Sequence, residues 1–174
     1  MGLSIAISGG IVTFAIIYVM MSFPTILDDT AKLSTSSQQM SSTLNNIMHT
    51  NIEISSLQNT HDSNTVTFSV NNTGNTILWN YKAFDAIISY QANSGGTPKF
   101  TEVLSYVTSC TGLSSGQWCV QSITNDLIHP GLLDPKETAN IEAKLQNPTY
   151  LGGVVTLNFG TDNGVMDTMS ERAT

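Results

Sequence analysis

The chain has 174 residues, room for one ordinary domain and an anchoring segment. Only 11% of them are charged and the formal net charge is −7, with no basic cluster or run; such a surface repels phosphate backbones and excludes nucleic acid as a partner. Ser, Thr and Asn abound where a cytosolic domain would carry Lys and Glu, as on an exported surface.

The first element is Leu3 to Phe23, which carries no charged side chain. A helix of that length reaches about 30 Å, the thickness of a bilayer's hydrocarbon core. Pro24 and then Asp28-Asp29 follow, so the expected interface lies between Pro24 and Asp28, and residues 1–27 read as a single-pass membrane anchor. A cleaved signal would need a basic n-region and a small-x-small cleavage site, and neither is present; Ala6 breaks the myristoylation motif. Gly2, Ala6 and Gly10 recur at four-residue spacing, a helix-packing stripe that admits a second helix closely.

Residues 28–50 turn polar and keep a helical rhythm, with Met40, Leu44, Ile47 and Met48 on one face. This reads as a stalk, irregular around "STSSQQ", whose apolar face either packs on the following domain or forms a seam for another subunit. From residue 51 the period changes to two. Ile52 and Ile54 share a side, and "TVTFSV" sets Val66, Phe68 and Val70 inward against Thr65, Thr67 and Ser69. "NNTGNT" is a turn in which Asn72 and Gly74 supply conformations that β-branched residues resist, and "TILW" starts the next strand at Thr76. Further strands are expected at residues 83–90, 100–107, 118–123, 139–145 and 154–159. Gly95-Gly96 reads as a hairpin tip, and Asn163-Gly164 as a tight turn leading to a short terminal strand. The pattern predicts a mainly β fold over residues 51–174, an antiparallel, immunoglobulin-like β-sandwich outside the membrane.

Asn71-Asn72-Thr73 is a candidate N-glycosylation site at Asn71, whereas Asn147-Pro148-Thr149 is blocked by its proline. Cys110 and Cys119 are the two cysteines, flanking a Gly/Ser loop beyond the anchor, which points to a disulfide; two thiols at this spacing lack the CxxC pairing of zinc sites. His49, His61 and His129 are scattered, no GxSxG or phosphate-cradling glycine motif occurs, and "DNGVMD" lacks the calcium-loop pattern. No catalytic set, cofactor or metal is expected.

Three stretches together carry a family pattern: the opening "MGLS", the strand-turn "FSVNNTGNTIL", and the later pair "LLDPKETANIEAKL" and "TDNGVMDT". They resemble the archaeal archaellum accessory proteins of the F type (FlaF), relatives of archaellins and other type IV pilin-like proteins. The resemblance implies a membrane-held helix with its sandwich in the extracellular or pseudoperiplasmic space. It further implies binding to the surface (S-) layer protein as a stator-like anchor of the motility filament, with archaellum components as partners. A homodimer or oligomer through an exposed strand edge fits the same pattern. The alternative is a pilin- or archaellin-like filament subunit whose apolar helix packs in a filament core; the missing Lys/Arg-Gly processing site before the apolar run speaks against it.

Overall fold

The computed structural model describes residues 2–93 and 98–174, with side chains at all of these except 2–7, 23–27 and 29. The expected hairpin tip at Gly95-Gly96 lies outside them. The chain divides into two compact units, residues 1–44 and 45–174.

The first unit is helical. Helix α1 spans Gly2–His49 without a break at Pro24, and it stays regular across "STSSQQ", where irregularity was expected. Hydroxyls that would compete with the backbone are instead absorbed by it: Thr13, Ser22, Thr35 and Thr43 each donate to the carbonyl four residues earlier, at 2.8–3.0 Å. Among the described residues no helix is long and apolar enough to cross a membrane. The expected span from Leu3 to Phe23 has described side chains only over residues 8–22, about 22 Å of helix against the roughly 30 Å needed. Those that are described leave Phe14, Met20 and Met21 more than 70% exposed. Met40, Leu44, Ile47 and Met48 are also exposed.

The second unit holds strands β1 (Ile52–Asn59), β2 (Thr65–Asn72), β3 (Asp85–Gln91), β4 (Lys99–Tyr106), β5 (Gln117–Thr124), β6 (Thr138–Lys144), β7 (Val154–Gly160) and β8 (Met166–Arg172). Their order is β1-β2-β6-β5-β4-β3-β7-β8 in one eight-stranded sheet. The expected wholly antiparallel sandwich is modified at one place. β4 and β5 run parallel and pair only at Ser105–Gln117 and Tyr106–Trp118, and this short seam joins what would be two leaves. At the far edges Ile54 N, on β1, donates to Asp167 Oδ2, on β8, at 2.7 Å, so the sheet curls towards closure like a barrel.

Alternation explains the core. Val66, Phe68 and Val70, then Ala139, Ile141 and Ala143, and Val155, Leu157 and Phe159 all point inward and are buried. Phe159 sits among Phe68, Phe84 and Trp118 at ring separations of 5.4–5.9 Å, edge to face, tying strands from both halves. Two expectations fail for local reasons. A bulge between Ile54 and Ser56 shifts the phase of β1, so that Leu57 and Asn59 are inward and the strand runs on through "SSLQN". "TILW" is no strand: only Leu78 pairs, in a single bridge with Leu133, and a 3-10 turn follows at Tyr81–Ala83.

Candidate functional site

The helix ends where three turns of the β-domain meet. Residues 45–49 of α1 belong to the same compact unit as the sheet. The last carbonyls of a helix have no partner within it, and here the turn after β2 supplies donors: Asn75 N bonds His49 O at 2.7 Å. Thr73 N and Gly74 N both bond Asn51 O at 3.0 Å, on the residue before β1. This clasp requires a glycine for space. A Cβ at Gly74 would stand 2.4 Å from Asn51 N and 2.6 Å from His49 O, and the φ of Gly74 is not positive. The conformational role expected of Gly74 is therefore replaced by a steric one.

Asn72, expected in the turn, is instead the last residue of β2 and is fully buried. Its amide group donates to Thr76 O at 2.8 Å and Leu133 O at 3.0 Å, while its side-chain oxygen accepts from Gly74 N at 3.1 Å. Its backbone engages the second turn, donating to Glu137 O and accepting from Lys136 N. That turn is braced by Asp134 N on Glu137 Oε2 at 2.9 Å, and buried Asp134 meets His129 Nδ1 at 2.9 Å. The third turn reaches the helix end through Asn163, whose side chain donates to Thr50 Oγ1 at 3.0 Å. Thr50 Oγ1 in turn bonds Asn46 O. The three turns of "VNNTGNT", "DPKETANI" and "TDNGVMDT" thus form one joint between helix end and sheet.

The joint holds the end of α1, residues 46–49, against the sheet. Of the histidines, His129 pairs with Asp134, His61 lies near Thr174 O and His49 is the helix terminus, so they do not converge. Among the described residues no three His, Cys, Asp or Glu side chains gather as a metal site would need. A polar cluster elsewhere is structural. Buried Tyr90 donates its phenol to Glu102 and accepts from Asn147 N at 3.2 Å, and Glu102 also receives Gln146 N at 3.1 Å. Burial first, and then the bond to Glu102, push the Tyr90 phenol up to about 12.

The other expected residues are placed as follows. Cys110 and Cys119 are joined as a disulfide, Cα atoms 5.4 Å apart, closing the loop that precedes β5. Asn71 is inside β2 rather than at a turn tip. It is half-buried on the outer face, and its Oδ1 accepts from Thr138 Oγ1 at 2.8 Å and Ser55 Oγ at 3.3 Å. Gly10 has open space where a Cβ would sit, while the side-chain positions of Gly2 and Ala6 lie outside the described residues. Reasoning from sequence missed Asn72 as a buried hub and the contact that Gly74 makes possible. An Asn closing an alternating strand two residues before a Gly was the available signal.

Comparison with known proteins gives this geometry a family. The chain is 35% identical over 118 residues to an uncharacterized protein of Archaeoglobus fulgidus, a match covering 67% of this chain and 65% of that one, just under two thirds of the relative's length. Among solved structures, the archaeal flagellum of Methanospirillum hungatei strain JF1 is similar with a TM-score of 0.57 at 12% identity, over 97% of this chain and 93% of that one. The archaellum periplasmic stator protein complex FlaF and FlaG from Sulfolobus acidocaldarius is similar with a TM-score of 0.49 at 21% identity, over 69% of this chain and 87% of that one. The family described as conserved flagellar protein F, immunoglobulin-like domain, matches residues 48–168, from the helix end into the last strand, and the chain belongs to that family.

Proposed function

We propose that the protein is a non-catalytic structural component of the archaellum, holding its β-domain outside the cell and binding the surface layer there as a stator-like anchor. One observation carries the reading: the family of conserved flagellar protein F covers the β-domain together with the joint that ties it to α1. A static tether needs its binding domain held firmly at the point of attachment, and three interlocked turns fasten the end of α1, from Asn46 onward, to the sheet. The exposed apolar side chains between Ile11 and Met21 require a cover, which in this reading is lipid, with the span completed by the flanking residues of Leu3–Phe23. Partners are surface-layer protein and other archaellum components, with self-association through a strand edge as a second mode. The Cys110–Cys119 bond suits an oxidising exterior, and Asn71 faces outward as a glycan acceptor.

A second reading has support from the fold likeness that extends over the helix as well as the β-domain, to an archaeal flagellum. There α1 would be covered by copies of itself in a filament core. Full-length protein in detergent, incubated with isolated surface layer and sedimented, separates the two. Co-sedimentation that saturates supports the anchor. Protein inert towards surface layer that polymerises on detergent removal replaces the anchor with the filament subunit.

A further inference from the structure

The seam between β4 and β5 leaves an opening that the fold does not fill. Among the described residues β5 pairs with β4 only at Gln117 and Trp118, so from Cys119 to Thr124 its backbone is laddered there on the β6 side alone. Beside this free edge lies a cleft of about 270 Å³, whose lining includes Tyr81, Tyr106, Val120, Ile123, Asp126 and Gly131 together with the neutral polar side chains of residues 108, 121 and 122. Two buried polar atoms belong to its lining residues: Asp126 Oδ1, which has no hydrogen-bond partner among the described residues, and Tyr81 Oη, which has only the nearby backbone of Leu133. Tyr81 is 7% exposed and helps line the cleft. The other oxygen of Asp126 is committed to the loop, accepting from Gly131 N at 2.9 Å. That bond holds the carboxylate in place while Leu127 and Ile128, 85% and 75% exposed, stand out at the loop tip.

An unpaired buried carboxylate oxygen is costly to leave alone, and it specifies its complement. No Lys, Arg or His lines the cleft. Burial raises the Tyr81 phenol well above its ordinary range, and Tyr106 and the charges of Asp126 and Glu137 push the same way against a smaller opposing pull from the Leu133 backbone, so the phenol stays protonated beside Asp126. Tyr81 and Tyr106 rings, 5.7 Å apart, add aromatic faces that favour a cation. An anion would meet Asp126 unfavourably, and a neutral apolar group would leave its Oδ1 unsatisfied. The free edge decides the carrier: a strand with unpaired backbone groups is a template for an extended segment, and two exposed aliphatic side chains flank it.

We propose that this cleft binds an extended segment of a partner protein added along the free edge of β5, with one Lys or Arg side chain inserted so that its cationic head meets Asp126 Oδ1 and Tyr81 Oη. The site stands on the chemistry of the cleft and does not depend on the archaellum reading. The test uses the full chain in detergent micelles and fluorescein-labelled peptides of alternating Val and Thr with one central Lys, Arg, norleucine or Glu, read by anisotropy. The Lys or Arg peptide binds about tenfold or more tightly than the norleucine peptide, and the Glu peptide does not bind. Asp126→Asn removes most of that preference, and the near-isosteric Tyr81→Phe, which keeps the ring packing, weakens it severalfold. Asp62→Asn, at an exposed carboxylate outside the cleft, changes nothing. Equal binding of Lys and norleucine peptides, binding of none, or a preference that survives both cleft variants overturns the proposal. So does methylammonium displacing the Lys peptide as effectively as unlabelled Lys peptide, since the site would then take a free cation rather than a segment.

Discussion

Replacing Gly74 by Ala tests the joint directly. The added Cβ would fall 2.4 Å from Asn51 N and 2.6 Å from His49 O, both backbone atoms that cannot swing aside as a side chain can. Relief requires the turn to withdraw from the helix end, and withdrawal forfeits the bonds from Thr73 N and Gly74 N to Asn51 O and from Asn75 N to His49 O. At about 1 kcal/mol each, their loss costs about 3 kcal/mol. Alanine stiffens the unfolded chain and recovers about 0.4–1 kcal/mol, leaving a net loss of about 2 kcal/mol. For a domain of this size the melting temperature falls by about 8 °C. Circular dichroism of the full chain in detergent micelles gives the melting curve, and amide hydrogen exchange at Asn75 reports the clasp itself, with protection lost first there. An unchanged or raised Tm with Asn75 still protected would refute the steric clasp.

Reducing Cys110–Cys119 opens a short loop and lowers stability by about 3 kcal/mol on chain-entropy grounds; the check is Tm with and without reductant, and alkylation of the denatured, unreduced protein should label no thiol. Tyr90→Phe leaves Asn147 N without its acceptor and Glu102 with Gln146 N as its remaining donor, costing about 1–3 kcal/mol at neutral pH in urea unfolding. Because the folded phenol lies at about 12, above its ordinary 10, its contribution is complete below pH 10 and drains away as pH rises from there through 12. Stability followed across that window should fall less steeply in Tyr90→Phe than in the parent. Asn71→Gln should abolish a glycan mass on protein isolated from its own cells; an unchanged intact mass, apart from the substitution, would mean Asn71 carries none.

What was legible in the sequence was periodicity. "TVTFSV" has one inward phase, because the alternation of Val66, Phe68 and Val70 with polar residues leaves no second way to bury them. The bulge in β1 was not legible, since an inserted residue breaks the period that reveals a strand, and "SSLQN" carries only one apolar residue to restore it. "TILW" looked like a strand because it is apolar and β-branched. Its role is to send Leu78 into the core while Trp79 stays exposed, and one bridge to Leu133 sufficed for that. The joint was half legible. The turn was visible in "NNTGNT", but the reason for its glycine lies in His49 and Asn51, which only the folded chain brings near. The cleft was invisible, because Tyr81 and Asp126 are far apart in sequence and neither belongs to a motif.

The central claim is that this chain is a structural part of the archaellum. Removing it from its own cells, with wild-type and Gly74→Ala copies returned in turn, and scoring swimming by light microscopy tests that claim most directly. The predicted result is loss of swimming on removal, recovery with the wild-type copy and impaired recovery with Gly74→Ala at elevated temperature. Cells that swim normally without the chain would contradict it.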